Sequence, residues 1–311
     1  MNIPYTINYL IFSAFLTLLI FEIGVAILSL AFYKDYKARL RKYLLPIWEV
    51  MGTFAAFYLI NFEVTYPTLL PFAGTVYILP VLVAGAFFLL RGAFIAFTEY
   101  LNRPESDGRY IKIYSISTLM VAFLALSVLD SGVSGIGISL ANTSINLVSL
   151  LFNPFNILMF AGVVLISMFV VSNYFEVYKL NKLGILYAAV GIVLVLFSLY
   201  QYAPSIFSNI LSNLYLLAIS IILLLITIVA YLKKSKYANY LVVFWLFLSI
   251  NLFGVVQYPY FFGGQNITAY LAASAISGAE IAITIIGGMF VVVALGYLIY
   301  LNYIRAQEEA Y

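Results

Sequence analysis

The 311-residue chain contains no cysteine and no histidine, and only 9% of its residues are charged. The missing cysteine excludes disulfides and thiolate chemistry. Together the two absences remove the ligands on which zinc, copper and iron–sulfur sites chiefly draw. Haem iron normally takes an axial His, Cys, Met or Tyr. Met51, Met120, Met159, Met168 and Met289 remain, but a haem held without any histidine is rare. A serine nucleophile would lack an imidazole base, which argues against a triad enzyme. No metal, haem or catalytic residue is therefore expected on this chain, and any redox chemistry belongs to a partner. Scarce charge excludes a second class, because 65% hydrophobic residues in a chain of this length cannot be covered by a water-facing surface.

What is present is a series of long apolar runs. A bilayer core of about 30 Å needs about 20 helical residues, and nine segments are long enough: Tyr9 to Tyr33, Leu44 to Asn61, Val76 to Tyr100, Ile113 to Asp130, Asn156 to Tyr178, Gly184 to Gln201, Ile206 to Leu232, Tyr240 to Tyr258 and Gly278 to Tyr303. These lengths rule out strand spans. The expectation is an all-α, nine-span protein of the cell membrane, a single transmembrane domain over 1–311. No soluble domain, linker or low-complexity tail is visible. The opening Met1-Asn2-Ile3-Pro4-Tyr5 has no basic region before the first run, so that run is read as a retained span.

Basic residues fall at Lys34-Lys37-Arg39-Arg41-Lys42, Arg103-Arg109-Lys112, Lys179-Lys182, Lys233-Lys234-Lys236 and Arg305, always after an odd-numbered span. The positive-inside rule then places the N-terminus outside and the C-terminus in the cytoplasm. Two glycosylation acceptors, Asn142-Thr143-Ser144 and Asn266-Ile267-Thr268, both fall in loops this topology places outside. The outer connections 131–155 and 259–277 are nearly free of charge and read as caps over the helix ends. Topology accounts for the net charge of +3, so no nucleic-acid partner is inferred.

One cation breaks the pattern. Arg91 lies inside the third span, where a charge costs roughly 2.5 to 3.5 kcal/mol on insertion scales and normally has a carboxylate or a wet cavity beside it. Glu22 and Glu49, in the first and second spans, are the candidate partners. Counted by helical rise from the cytoplasmic end, Glu22 lies about 16 Å in, Arg91 about 13 Å and Glu49 about 8 Å. Burial penalises a carboxylate and a guanidinium favours it, so such a series can pass protons. The plainer reading is a structural pair that holds helix register. Glu99 and Glu176 sit near the inner boundary, and Asp130 and Glu280 at outer helix ends, as interfacial or capping groups. Tyr 27 and Phe 26 invite a quinone-stacking reading, but aromatics gather at interfaces and on lipid-facing surface anyway. Small residues at Gly184 to Gly191 and Gly287-Gly288 suit close helix approach.

Three local patterns, in order along the first third of the chain, resemble subunit II of cytochrome bd-type quinol oxidases. Phe21-Glu22-Ile23-Gly24-Val25 is similar to the family's Phe-Asp-Leu-Gly-Val, with Glu for Asp. Pro46-Ile47-Trp48-Glu49 is similar to its Pro-x-Trp-Asp. Tyr77, Pro80 and Leu89-Leu90-Arg91-Gly92 resemble its third span, which ends in Arg-Gly or Arg-Pro. The family's Gly-Asn-Glu-Val-Trp is replaced by Val50-Met51-Gly52-Thr53-Phe54, and Glu99 comes later than the acid expected after the arginine. The resemblance covers Tyr9 to Tyr100, with the remainder agreeing in size and hydropathy.

The resemblance implies two four-helix bundles, at 1–130 and 156–258, plus a peripheral helix at 278–303. It implies a non-catalytic subunit of a quinol:O2 oxidoreductase that supports a haem-bearing subunit I, shares in proton delivery through Glu22, Glu49 and Arg91, and contributes to oxygen access. Gly24, Trp48 and Gly92 support the motifs. Haem would reside in the partner, lipid would surround the spans, and a quinone is the one cofactor left open. Two alternatives remain on the sequence: a secondary transporter binding a small substrate or ion at Arg91 and the glutamates, or a haem-free anchor of another respiratory complex. Pro80 interrupts only one span and no internal repeat is evident, which weakens the transporter reading.

Overall fold

Backbone in lipid must satisfy its hydrogen bonds within its own segment, so long apolar runs become helices. The computed structural model describes residues 3–100, 104–139, 144–175, 177–235, 237–261, 265–271, 278–279 and 281–289. Their helices are α1 (Ile3–Thr65), α2 (Leu69–Val76), α3 (Ile78–Tyr100), α4 (Pro104–Ser134), α5 (Leu147–Leu151), α6 (Pro154–Tyr174), α7 (Tyr178–Tyr202), α8 (Pro204–Ser212), α9 (Leu214–Leu232) and α10 (Ala238–Gln257). The strands are two short antiparallel ribbons, β1 (Ile138–Ser139) with β2 (Ser144–Ile145) and β3 (Tyr260–Phe261) with β4 (Gln265–Asn266). Seven helices among the described residues are long and apolar enough to cross a membrane.

At 63 residues, α1 would run about 95 Å if straight, some three times the bilayer core. It does not run straight. Phe32 leaves helical geometry (φ −135°, ψ 20°), and the two arms come back into contact, with Asn8 Nδ2 donating to Asn61 Oδ1 at 2.8 Å and the Phe12 and Tyr58 rings 4.9 Å apart. The expected first and second spans are these two arms. The first belongs to the seven candidate spans; the second, with Glu49, Thr53 and Asn61, does not.

Two expected boundaries move. The run Ile206 to Leu232 is not one helix: Asn213 (φ −117°, ψ 46°) separates α8 from α9. Its side chain donates to the Asn209 carbonyl at 2.9 Å, a local bond that competes with helix continuation. Tyr178, expected at the end of the fifth span, instead opens α7. The start of α6 follows ordinary capping rules, with Asn153 accepting from the Asn156 amide at 2.8 Å and Pro154 in the first turn. The ninth span and the peripheral position expected for it fall on 278–303, described only at 278–279 and 281–289. There Thr284 accepts from Asn61 Nδ2 at 2.8 Å, tying this segment to the second arm of α1.

The main core joins both halves of the chain, with Leu19, Ile23 and Leu44 of α1, Tyr114 of α4, Phe169 of α6 and Trp245 of α10 in one buried cluster. A second cluster packs Leu150 and Ile267 of the connections with Tyr5, Tyr9, Tyr66 and Tyr77. Close approach at Gly191 is real, since a Cβ there would lie 2.8 Å from the Gly162 carbonyl oxygen. Gly287 and Gly288 meet only the Phe57 ring, at ordinary contact distances of 3.8 to 3.9 Å.

Candidate functional site

Arg91 sits on α3 with its side chain wholly buried. Its Nη1 donates to Glu22 Oε2, Nη2 faces Met51 Sδ at 3.9 Å, and the guanidinium carbon lies 4.5 Å from the Phe88 ring centroid. The arginine therefore links three helical segments, the two arms of α1 and α3. Phe88 stands one helical turn before it, where the ring face can attract the cation. Glu22 is equally buried, which makes the pair costly to break: removing one partner of a buried ion pair costs about 3–5 kcal/mol.

Two glycines set the distances between helices at this pair. A Cβ on Gly24 would fall 2.3 Å from Val171 Cγ2 and 2.6 Å from the Ser167 carbonyl oxygen, so the first arm of α1 approaches α6 too closely for any side chain. A Cβ on Gly92 would meet Trp48 Cζ2 at 3.0 Å. Residues quoted from separate motifs thus touch one another.

Glu49 does not join the pair, which corrects the expectation of two glutamates around Arg91. It is exposed on the second arm of α1, while Met51, two residues on, is 1% exposed and faces the arginine. Two residues correspond to about 200° of helical rotation, so the arm that presents Met51 inward must present Glu49 outward. Its backbone carbonyl accepts from Thr53 Oγ1 at 2.9 Å.

Sequence reasoning missed several groups here. Tyr114 of α4 is fully buried and packs in the same cluster as Phe21 and Ile23, which flank Glu22 in sequence. Glu22 Oε1, Arg91 Nε and Trp48 Nε1 have no hydrogen-bond partner among the described residues. Nothing but contact distinguishes Tyr114 from the other tyrosines. Asp130, expected as an interfacial or capping group, is 4% exposed; Phe261 of β3 packs on Gly132, two residues further along α4. Its Oδ2 lacks a partner. It lines an apolar cavity of about 340 Å³ whose walls also include Tyr5, Ile267, Ile20 and Trp245.

Asn266 is exposed and is held by its own turn, its Oδ1 accepting from the Thr268 amide at 2.9 Å. Asn142, Glu176 and Glu280 lie outside the described residues, as does the side chain of Glu99. No cluster of three or more His, Cys, Asp or Glu suited to a metal ion occurs among the described residues.

Fold and site together define a multi-pass, all-α protein of the plasma membrane organised around an intramembrane ion pair. The family model for cytochrome bd terminal oxidase subunit II matches residues 2–304, and the chain belongs to that family. Among solved structures it is similar to the bd oxidase from Geobacillus thermodenitrificans, with TM-score 0.78 and 19% identity over 96% of this chain and 97% of that one. Comparison with curated protein sequences gives no match. Family membership leaves the secondary-transporter alternative without support.

Proposed function

We propose that this chain is the haem-free subunit of a quinol:O2 oxidoreductase, that it scaffolds a haem-bearing subunit I, and that it delivers protons toward that subunit through Glu22 and Glu49. The observation that carries this reading is the Glu22–Arg91 pair, buried in the bundle with one carboxylate oxygen engaged and the other free. Burial penalises the Glu22 carboxylate and Arg91 stabilises it, two opposed effects on one proton-binding group. Glu49 faces out of the bundle from a membrane-spanning arm. A carboxylate facing lipid is costly, so the face that carries it is the one subunit I covers, and Glu49 is the point of handover.

The absence of His and Cys leaves this chain without the usual axial ligands, in accord with haem residing in subunit I. Nine spans with the N-terminus outside remain the topology that the alternating basic segments support. Oxygen access is assigned to the apolar cavity of the outer half. No residue of this chain is assigned to the quinol ring. In the assembled complex, Glu22→Gln and Glu49→Gln should each lower quinol-dependent oxygen uptake by at least about tenfold, the low end for a positioned acid–base group, with the haem spectrum unchanged. Full activity in both variants would overturn the relay.

A further inference from the structure

Polar side chains on three helical segments are joined in one hydrogen-bonded chain. Asn8 Nδ2, in the first arm of α1, donates to Asn61 Oδ1 in the second arm at 2.8 Å, and Asn61 Nδ2 donates in turn to Thr284 Oγ1 at 2.8 Å. All three residues are buried. Thr284 is the one polar side chain in the helical stretch 281–289 and the one buried residue in it, whereas Ile283, Ile285 and Ile286 are exposed. That pattern inverts the rule for water. It follows from a lipid solvent, which receives isoleucine as readily as a neighbouring helix does but penalises an unpaired amide or hydroxyl.

Apolar contact alone does not fix where this stretch sits. A Cβ on Gly287 or Gly288 would meet the Phe57 ring only at 3.8 to 3.9 Å, an ordinary contact with nothing interlocked, and the exposed isoleucines suit lipid equally well after a slip or a rotation. The hydrogen bonds do discriminate. A slip of three residues would set Asn61 against Ile281 or Gly287, neither of which carries a side-chain acceptor, and would strand polar groups in the bundle. Phe57 meets Gly287 and Gly288 while Asn61, one turn later, meets Thr284, one turn earlier, so two separate contacts agree on one antiparallel register.

We propose that Asn61 is the register residue of this part of the bundle: its amide, held by Asn8 on one side and extended to Thr284 on the other, selects one axial position and one rotation for 281–289 against the second arm of α1. A planar amide suits the role because it donates from one end and accepts at the other. A buried polar group sets register by penalising every alternative that leaves it unmatched.

The test is made in the assembled complex, where the absence of native cysteine makes introduced thiols the only ones on this chain. Phe57→Cys with Gly288→Cys probes the native register, and Thr53→Cys with Gly288→Cys probes a slip of one turn, about 6 Å. Each pair is joined by a short bifunctional thiol reagent and read by peptide mass spectrometry. The first pair should dominate in the otherwise unaltered chain, and dominance of the second would overturn the proposal. Adding Asn61→Leu or Thr284→Val should lower the ratio of native to slipped product about threefold or more, the worth of one intramembrane hydrogen bond, while Thr284→Ser should keep it. Thr284→Val preserves shape, so a stretch positioned by packing leaves the ratio unmoved, and that result overturns the proposal. An equal fall in Thr284→Ser does the same. The two Thr284 variants decide the matter even if Asn61→Leu fails to assemble.

Discussion

Glu22 and Asp130 are both carboxyl groups removed from solvent, at 0% and 4% exposure, and the bundle treats them differently. Glu22 lies where three helical segments converge, paired to Arg91 and two residues from Gly24, whose contact with α6 admits no side chain. Asp130 lines an open apolar volume with no cation beside it among the described residues. A buried charge is costly unless it is paired, and only the first environment offers a carboxylate that compensation. Burial alone therefore does not identify a charge-handling site in a membrane bundle. The company of the carboxyl group does.

Breaking the pair gives the largest effect expected. Arg91→Met leaves Glu22 buried and uncompensated and should destabilise the purified complex by about 3–5 kcal/mol, whereas the double variant with Glu22→Leu should recover most of that loss. Thermal unfolding of both variants checks it, and equal losses would mean that the pair is not the stabilising unit. Packing sharpens the contrast at the next scale. Gly24→Leu forces atoms into α6 and should cost about 1–3 kcal/mol or more, while Leu126→Trp, projecting into the outer cavity, should be better tolerated and should raise the KM for oxygen. Asp130→Asn gives the smallest change, within about 1 kcal/mol, since it keeps the size and polarity of a side chain that has no ion-pair partner among the described residues. A large loss of stability there would show that Asp130 carries a charge after all.

Much of this site was legible without coordinates. Arg91 stood out because every other Lys and Arg follows the alternation of loops, and an intramembrane cation calls for an acid on a neighbouring span. Trp48 and Gly92, quoted from separate motifs, touch. The direction of Glu49 was not legible, because it depends on the rotation of the second arm of α1 after the break at Phe32. The break at Asn213 was hidden in a run apolar enough to read as one span. Asp130 was read from its place at a helix end, while Phe261, which packs on Gly132 beside it, is far away in sequence. Tyr114 carries no mark at all in a chain with 27 tyrosines.

By itself the amino-acid order determined the solvent, the helical class, the sidedness of the loops and the presence of a charge that lipid cannot accept, because hydropathy and charge placement act along the chain. Which carboxylate meets that charge and which is turned outward were decided only by tertiary structure. Those outcomes depend on the rotation and spacing of helices, and the contacts that set rotation and spacing lie between residues far apart in sequence.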